Sequence, residues 1–458
     1  MKEYFKFYNG YLKKRRILGI VLAIFYAIVY DCVVRNYLSK IFGYLLDYTY
    51  NPMSFGEYLT YVIVCTIPMI FYRGFKYIAA IFSYFCYLLV YVPFIHTLYV
   101  ANYPIEITIY YITVFFIAQC MFFITDNIKL GKKNFSSKKI ITFRQFEIIV
   151  GVLFLIAVII NINKIHFVNI FSSDQRELLY DLREENNSSS GVFNNYISTW
   201  LNHILIPILM VCYLKNKKIT KLCLSFSAMI VMFMIDMQKI SFLIPFVIVI
   251  FFYIYKFHPK GYLENFHIMF FIVLIIIPLY LINNLSNPIA FTIAAILIMR
   301  TQCVEGRELA TYFNFFEIHD NPVTAYTHIN FINKLTGLYP YEESLGYTVS
   351  YGEGNSNANF FLMDGIAAGG LLGCIIASIA FIIFKSYFNT IGNNLDKGLC
   401  IIILLFPISS LMNVSIFTSL LTGGFLLFYL ICKTVDLKTL SNHSILKTHE
   451  KKSYITIR

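Results

Sequence analysis

Four basic side chains are the most informative residues of the chain, because they stand where few cations are expected. They lie at predicted membrane edges on the side of the chain that is otherwise poor in positive charge: Arg176, Lys239, Arg300 and Arg307. Charged groups in such positions are energetically costly and therefore indicate function. An arginine guanidinium offers a planar fork of donors that suits a phosphate or diphosphate, and a lysine binds the same ligand as a point charge. The plain alternative for each cation is an ion pair with an acid nearby in sequence.

Two further residues are candidates for roles beside such a ligand. His328 falls in a long predicted loop, and histidine is the side chain whose charge changes most readily near neutral pH; the alternative is a solvated loop histidine. Asp364 lies near the outer end of a predicted span, either as a buried acid facing the helix bundle or as an interfacial one. His96, His203 and His267 lie at span edges, where we interpret them as interfacial packing.

Motifs of metal- and nucleotide-dependent chemistry are missing from the sequence. It has no Walker-A phosphate loop, no HExxH pair and no cysteine–histidine spacing typical of zinc. No predicted outer loop holds an Asp-x-Asp pair, and the adjacent acids Glu184–Glu185 and Glu342–Glu343 are typical of solvated loop charge. The cysteines show no CxxC pair and no pairing pattern, which argues against a disulfide framework. We therefore expect neither a metal nor a cofactor.

The composition decides the class of protein that must position these residues. Of the 458 residues 58% are hydrophobic and 14% are charged, whereas a typical soluble domain is about 45–50% apolar and about 25% charged. This excludes a soluble globular enzyme and a disordered scaffold. Apolar runs recur from residue 17 to residue 432 with no polar domain between them, which indicates a single integral membrane domain.

An all-α polytopic membrane protein with about twelve transmembrane helices is the predicted fold. Residues 1–16 form a cytoplasmic N-terminal segment, 17–432 the transmembrane domain and 433–458 a basic cytoplasmic tail. Two long extracytoplasmic loops cover about 163–199 and 285–359; within the second, the apolar stretch Ile289–Met299 is too short to span and suits a half-helix or re-entrant segment. The predicted spans are 17–36, 58–72, 77–98, 107–125, 146–162, 200–214, 222–235, 241–255, 267–284, 360–384, 398–412 and 417–432.

The net charge of +12 follows from topology rather than from nucleic-acid binding. The segments assigned to the cytoplasmic side hold 28 of the 37 lysines and arginines but 7 of the 25 acids. This asymmetry is the positive-inside rule, which predicts that both termini lie in the cytoplasm. A nucleic-acid-binding protein would instead gather its basic residues on one soluble face. The cytoplasmic segments are 1–16, 73–76, 126–147, 215–221, 256–264, 385–397 and 433–458.

A glycine repeat marks the tenth predicted span. Gly365, Gly369 and Gly373 recur at every fourth residue, which in a straight helix lines up a small-residue face. Such a face lets another helix approach closely. Close helix packing is therefore favoured here over ligand binding.

Four stretches of the chain resemble the Wzy-type O-antigen and capsule polymerases, the oligosaccharide repeat-unit polymerases. Met237–Leu243 (MQKISFL) is similar to that family's basic turn entering an apolar helix, and Arg300–Phe316 (RTQCVEGRELATYFNFF) to its arginine and Y-x-x-F stretch. Asn321–His328 (NPVTAYTH) resembles the continuation of that stretch. Ser344–Tyr347, Asn357–Asn359 and Asp364–Gly373 resemble the loop end and glycine-rich helix that close the site. The family usually has proline where Val304–Gly306 stand here.

The resemblance implies a metal-independent glycosyltransferase. A growing glycan on undecaprenyl diphosphate would move onto a sugar hydroxyl of a new lipid-linked repeat unit, giving O-antigen or capsular polysaccharide. By this resemblance Arg176 and Arg300 would contact the diphosphate or transition state, with Lys239 and Arg307 as secondary phosphate contacts. The candidate bases are His328, Glu305 and Glu308, in falling order. Asn357, Asn359 and Asp364 would contact substrate, as would Glu305. The implied partners are the lipid-linked oligosaccharide, membrane lipid and a chain-length regulator protein.

Other classes of membrane protein remain open on the sequence. A lipid-linked oligosaccharide flippase would need similar cations but no 75-residue outer loop, and an O-antigen ligase would differ only in its acceptor. A mannosyl-type transferase would need acids in the first outer loop, which offers only Lys40, Asp47 and Glu57 among charged residues. A channel or structural membrane protein is the plainest alternative.

Overall fold

A computed structural model describes most of the chain. Regular structure in these residues is helical, apart from a single β-bridge between Ile141 and Val435. The chain divides into two compact units, the first made of residues 1–128, 263–386 and 411–416 and the second of residues 129–262, 387–410 and 417–458. The described residues are 2–41, 50–101, 103–130, 139–166, 181–182, 186, 191–257, 262–352, 356, 361–391, 395–412 and 414–440.

Helix length and hydropathy confirm the predicted class, a polytopic all-α membrane protein. Each of the twelve predicted spans overlaps an apolar helix, eight of them long enough to cross a membrane and four shorter. The eight long candidates are Ile17–Ile41, Ala79–Val100, Ile105–Asn127, Phe143–Ile160, Asn194–Lys215, Ile219–Asp236, Leu362–Phe388 and Ile416–Thr434. The shorter apolar helices are Phe55–Ile70, Ser241–Phe257, His267–Ile282, Pro288–Met299 and Lys397–Leu411.

The helix Ala79–Val100 is the core of the first unit, because its whole apolar window is buried. Buried tyrosine hydroxyls satisfy otherwise unpaired backbone groups around it. Tyr26 donates to the Leu88 carbonyl (2.7 Å) and Tyr87 donates to the Cys65 carbonyl (2.8 Å). A buried hydroxyl is stable only when it is hydrogen-bonded. The tyrosines therefore bring neighbouring helices into a defined register.

The predicted second outer loop, 285–359, contains a long helix and is in that part not a loop. Helical structure runs without interruption from Pro288 to Ile318, through two π-helical stretches, Ala295–Cys303 and Asn314–Ile318. The reason is packing: the α-helical part Val304–Phe313 lies against Val92–Val100, and a Cβ on Gly306 would lie 2.7 Å from the Phe94 nitrogen. The apolar stretch beginning at Ile289 is thus the first part of a longer helix, on which Ile289 and Ile293 are themselves exposed.

A buried ion pair joins two residues that the sequence had assigned to cytoplasmic loops. Lys385 Nζ lies 2.6 Å from Asp126 Oδ1 and 2.9 Å from Ser83 Oγ, and it also donates to the Phe122 carbonyl. Both charged side chains are almost fully buried. The assignment to solvated loops is therefore wrong for both residues: the helices extend further than predicted, and each charge is stable because the other neutralises it.

His96 is likewise not an interfacial residue. Its Nε2 lies 2.9 Å from Asp31 Oδ1, and Tyr50 donates to the same oxygen (3.0 Å). The imidazole is fully buried among the rings of Tyr30, Tyr50 and Tyr61. Burial, and then the charge and hydrogen bond of Asp31, raise the pKa of Tyr50 to about 12. The hydropathy pattern could not reveal this partner, because Asp31 and His96 are 65 residues apart.

Gly306→Ala should destabilise the first unit even though alanine is the better helix former. The added methyl group meets the backbone of Phe94, which cannot move aside without separating two helices. The matched control is Gly151→Ala, at a helical glycine with nothing within 4 Å. We expect a lower melting temperature in detergent for the first variant and an unchanged or higher one for the control. Equal melting temperatures would contradict the close crossing.

Lys385→Met should destabilise the protein by about 3–5 kcal/mol, because it leaves Asp126 charged and buried without its partner. The double variant Lys385→Met/Asp126→Asn should recover much of that loss. As a control, Lys221→Met removes a half-exposed pair with Glu147 (2.8 Å) and should cost at most about 1 kcal/mol. Thermal unfolding in detergent measures all three; a small effect of the single Lys385 variant would count against the buried pair.

Candidate functional site

The helix that carries Asp364 is broken by its glycines. Within Phe361–Phe388 the backbone leaves the helical region at Gly369 and Gly370, and Gly370 has a φ of 57°. A Cβ on Gly365 would lie 2.8 Å from the Gly373 carbonyl oxygen, although residues eight apart in a straight helix are about 12 Å apart. Residues 361–368 therefore fold back onto the helix that follows. The glycines do serve close packing, but between two arms of one segment rather than along a straight span.

A neighbouring loop satisfies the carbonyl groups that this break exposes. The Thr324 backbone N–H donates to the Ala367 carbonyl (2.6 Å), and that of Ala325 donates to the Ala368 carbonyl (3.1 Å). The Thr324 hydroxyl also contacts the Ala367 oxygen (3.0 Å). The end of a helix leaves carbonyls that need such partners. The loop is therefore held to the broken helix by backbone hydrogen bonds, and it brings His328 with it.

His328 and Asp364 form a buried pair. The imidazole Nε2 lies 3.4 Å from Asp364 Oδ1, and Nδ1 lies 2.7 Å from the Thr324 hydroxyl oxygen. The two side chains are 5% and 4% exposed. The prediction of a solvated loop histidine is thus wrong, and of the two readings of Asp364 the buried one is right. Both ring nitrogens are engaged: Nε2 faces the Asp364 carboxylate, and Nδ1 faces the Thr324 hydroxyl, which donates its own proton to the Ala367 carbonyl.

Two residues of the long helix complete the site. Tyr312 donates its hydroxyl to the Ser356 carbonyl (3.3 Å). Burial raises the pKa of Tyr312 well above its ordinary value, and the neighbouring carboxylates of Asp364 and Glu308 raise it further. Both acids therefore lie close to this phenol. Glu308 Oε2 is buried and accepts no hydrogen bond from any described residue, so it has an open acceptor position beside the pair.

A third acid lies at the turn itself. The Glu317 carboxylate occupies the place that a side chain on Gly370 would take, and the Tyr111 hydroxyl lies on the same side, 3.9 Å from that position. Only glycine leaves room for the carboxylate here, and the positive φ favours glycine as well. The helix break, Glu317 and Tyr111 thus pack together next to the arm that carries Asp364.

The structure brings together part of the predicted site. His328 and Asp364 are in contact, Glu308 lies one helical turn before Tyr312, and Arg307 is half-buried on the same helix as Glu308. The backbones of Arg300 and Glu305 belong to this helix, but their side chains lie outside the described residues. Arg176, Asn357 and Asn359 lie wholly outside them.

Lys239 begins the helix Lys239–Phe257 in the second unit, where its side chain is not described. The turn before it is organised by Asp236, which accepts from Asn202 Nδ2 (2.6 Å), the Ser241 hydroxyl (2.9 Å) and the Gln238 backbone N–H (3.0 Å). Met237 has a left-handed φ of 52° and is fully buried. The turn before Lys239, which the sequence predicted to be basic, is thus held by hydrogen bonds from uncharged groups to Asp236.

Thr324, Tyr312 and Glu317 were not recognised as site residues from the sequence. Tyr312 was visible only as part of the Y-x-x-F stretch, and nothing in the local pattern around Thr324 or Glu317 indicates a glycine turn more than 40 residues away. The described part of the chain contains no group of three or more His, Cys, Asp and Glu side chains that could hold a metal ion.

Comparison with known proteins gives no match: neither a family model, nor a curated protein, nor a solved structure is similar to this chain.

Gly370→Ala should disrupt the site, because the methyl group displaces the Glu317 carboxylate and the residue must keep a left-handed φ, at a cost of about 1–2 kcal/mol. Gly369→Ala is the matched control, since its φ of −171° suits any residue and nothing lies within 4 Å. Melting temperatures in detergent compare the two. If the Gly369 variant proved the less stable, the geometry of the turn would be wrong.

Proposed function

We propose that this multi-pass membrane protein polymerises lipid-linked oligosaccharide repeat units into a surface polysaccharide, as the Wzy-type polymerases do. The growing glycan on undecaprenyl diphosphate would be transferred to a sugar hydroxyl of the next lipid-linked unit, on the outer face of the bacterial plasma membrane. One observation carries the proposal. Three separate stretches that resemble that family, those holding Tyr312, His328 and Asp364, meet around one buried acid–base cluster.

The reaction needs a base for the acceptor hydroxyl. As the new bond forms between that oxygen and the anomeric carbon, the carbon–oxygen bond to the diphosphate breaks and the hydroxyl proton must leave. We assign Glu308 as the base that accepts this proton, because its Oε2 has an open acceptor position. His328 was the first candidate from the sequence, but both its nitrogens are already engaged. It serves in this proposal as a positioning residue that holds Asp364 beside Tyr312.

The leaving diphosphate needs fixed positive charge. Arg307 precedes Glu308 directly, and Arg300 lies seven residues earlier in the same continuous helix. A guanidinium that stays charged and donates two hydrogen bonds can stabilise the developing charge on the phosphate without a metal. Arg176 and Lys239 remain phosphate contacts predicted from the resemblance alone, and they are not part of the cluster described in the first unit. The chain-length regulator is an expected partner on the same ground.

Surface polysaccharide from a strain lacking the protein tests this function, with wild-type or variant genes supplied in trans. Wild type should restore a ladder of chain lengths on a gel, and the deletion strain should carry a single attached repeat. Glu308→Gln should lower polymer formation about 10²–10⁴-fold, the usual contribution of a general base. Arg300→Ala and Arg307→Ala should lower it about 10²–10³-fold each. Glu106→Gln, at an exposed acid outside the site, is the control and should restore the full ladder.

The glycan that accumulates in the deletion strain distinguishes a polymerase from a ligase or a flippase. Finished polymer left on undecaprenyl diphosphate would overturn the polymerase in favour of a ligase. Repeat units retained on the cytoplasmic face would overturn it in favour of a flippase. Immunoblots must show equal amounts of each variant, and full activity of abundant Glu308→Gln protein would remove Glu308 from the base role.

A further inference from the structure

The first unit contains a group of aromatic side chains that has no role in the acid–base cluster. It consists of five rings in contact, which we call the tyrosine platform: Phe315, His319, Tyr339, Tyr341 and Tyr351. Phe315 lies at the centre, with its ring centroid 5.9 Å from that of Tyr341 and 5.6 Å from that of Tyr351. His319 lies against Tyr351 at 6.3 Å, and Tyr339 lies against Tyr341 at 5.7 Å.

Tyr351 is held on this platform at an energetic cost. Its side chain is 63% exposed, and its φ is 53°, in the left-handed region that residues with side chains rarely adopt. Exposure of a large ring and a left-handed backbone are both unfavourable. The left-handed φ follows the end of the helix Leu345–Val349, where the backbone N–H groups of Tyr351 and Gly352 donate to the Thr348 and Tyr347 carbonyls (3.1 and 3.0 Å). The exposed ring, rather than the backbone, is therefore the feature that points to a ligand. The strain is shared by the surrounding loops, because Asp320, Ala325 and Tyr326 also have positive φ.

The platform leads directly to the acid–base cluster. The ring of Phe315 contacts that of Phe316 at 4.9 Å, and Phe316 contacts Tyr312 at 6.3 Å. Tyr312 lies one helical turn after Glu308 on the same helix. Two neighbouring rings therefore connect the exposed Tyr351 with the buried cluster, so a ligand on the platform would lie at the outer edge of the site.

The charge of the platform indicates what it can bind. Residues 334–352 contain the exposed acids Glu342 and Glu343 and one exposed cation, Lys334. With two acids to one cation, this surface favours a neutral ligand over phosphate groups and anionic lipid. Sugar rings suit it, because their C–H faces are weakly positive and stack on the negative face of an aromatic ring. Carboxylates and tyrosine hydroxyls can accept and donate hydrogen bonds to the sugar hydroxyls.

We infer that the tyrosine platform binds the saccharide part of the substrate and directs it toward the acid–base cluster, with Tyr351 as the principal stacking ring. The inference rests on the proposed function and adds the subsite that recognises sugar rather than diphosphate. The rival explanation is that the platform is part of an aromatic belt at the membrane surface, since Leu335 and Leu338 nearby are also exposed.

Saccharide binding to the full-length protein in nanodiscs tests this directly. The probe is the lipid-free oligosaccharide released by acid from the host's own surface polysaccharide, followed by saturation-transfer NMR and titration. We expect saturation of sugar C–H protons from aromatic protons. Tyr351→Ala should weaken binding about three- to ten-fold, the worth of one aromatic stacking contact, and Tyr351→Phe should bind like wild type. The matched control is Tyr110→Ala, at an equally exposed tyrosine in the candidate span Ile105–Asn127.

The outcomes separate the platform from the polymerase. Unchanged binding by Tyr351→Ala would overturn the platform, whether or not the deletion strain loses its ladder. A loss of thermal stability in nanodiscs for both alanine variants, with saccharide binding intact, would also overturn it in favour of the aromatic belt. A deletion strain that keeps its ladder, while wild-type protein binds the saccharide through Tyr351, would support the platform and overturn the polymerase.

Discussion

The need to pair backbone groups at a helix break governs the geometry of the candidate site. In an apolar environment an unpaired carbonyl costs several kcal/mol, so a break persists only where partners are supplied. At Gly369–Gly370 the partners are the backbone N–H groups of Thr324 and Ala325. Their hydrogen bonds place His328 against Asp364 and leave the turn open for the Glu317 carboxylate. The acid–base cluster is thus a consequence of how one interrupted helix is capped.

Buried charge in the first unit follows a second constraint, that each ionised side chain has a partner from a distant part of the chain. Lys385 meets Asp126, Asp31 meets His96 and Asp364 meets His328. The first pair, Lys385 with Asp126, lies outside the proposed site. The third pair, Asp364 with His328, lies within it. A buried ion pair by itself is weak evidence of function. The exposed Tyr351 of the tyrosine platform, connected with Tyr312 through Phe315 and Phe316, is what distinguishes the proposed site from a purely structural pair.

The sequence predicted the positions of the apolar helices but not the contacts between distant side chains. Continuous apolar runs located an apolar helix at every predicted span. The same hydropathy criterion placed residues 300–318 in a loop and predicted only a half-helix or re-entrant segment over 289–299, because Arg300, Glu305 and Arg307 interrupt the apolar pattern of a helix that packs on Val92–Val100. It also read Lys385 as a loop cation, although a neutralised charge can lie within a buried helix. A hydropathy average over a window depends only on which residues the window contains, and it carries no information about their contacts.

The sequence by itself determined the membrane class, the positions of the apolar helices and a short set of polar residues from which a site could be built. These depend on composition and local order, because the hydrophobic effect acts on each segment nearly independently. Only the tertiary structure decided that His328 pairs with Asp364, that the glycine repeat makes a fold-back rather than a straight face, and that two rings connect the exposed Tyr351 with Tyr312. Those features depend on contacts between residues far apart in the chain, where hydrogen-bond pairing and close packing select one arrangement.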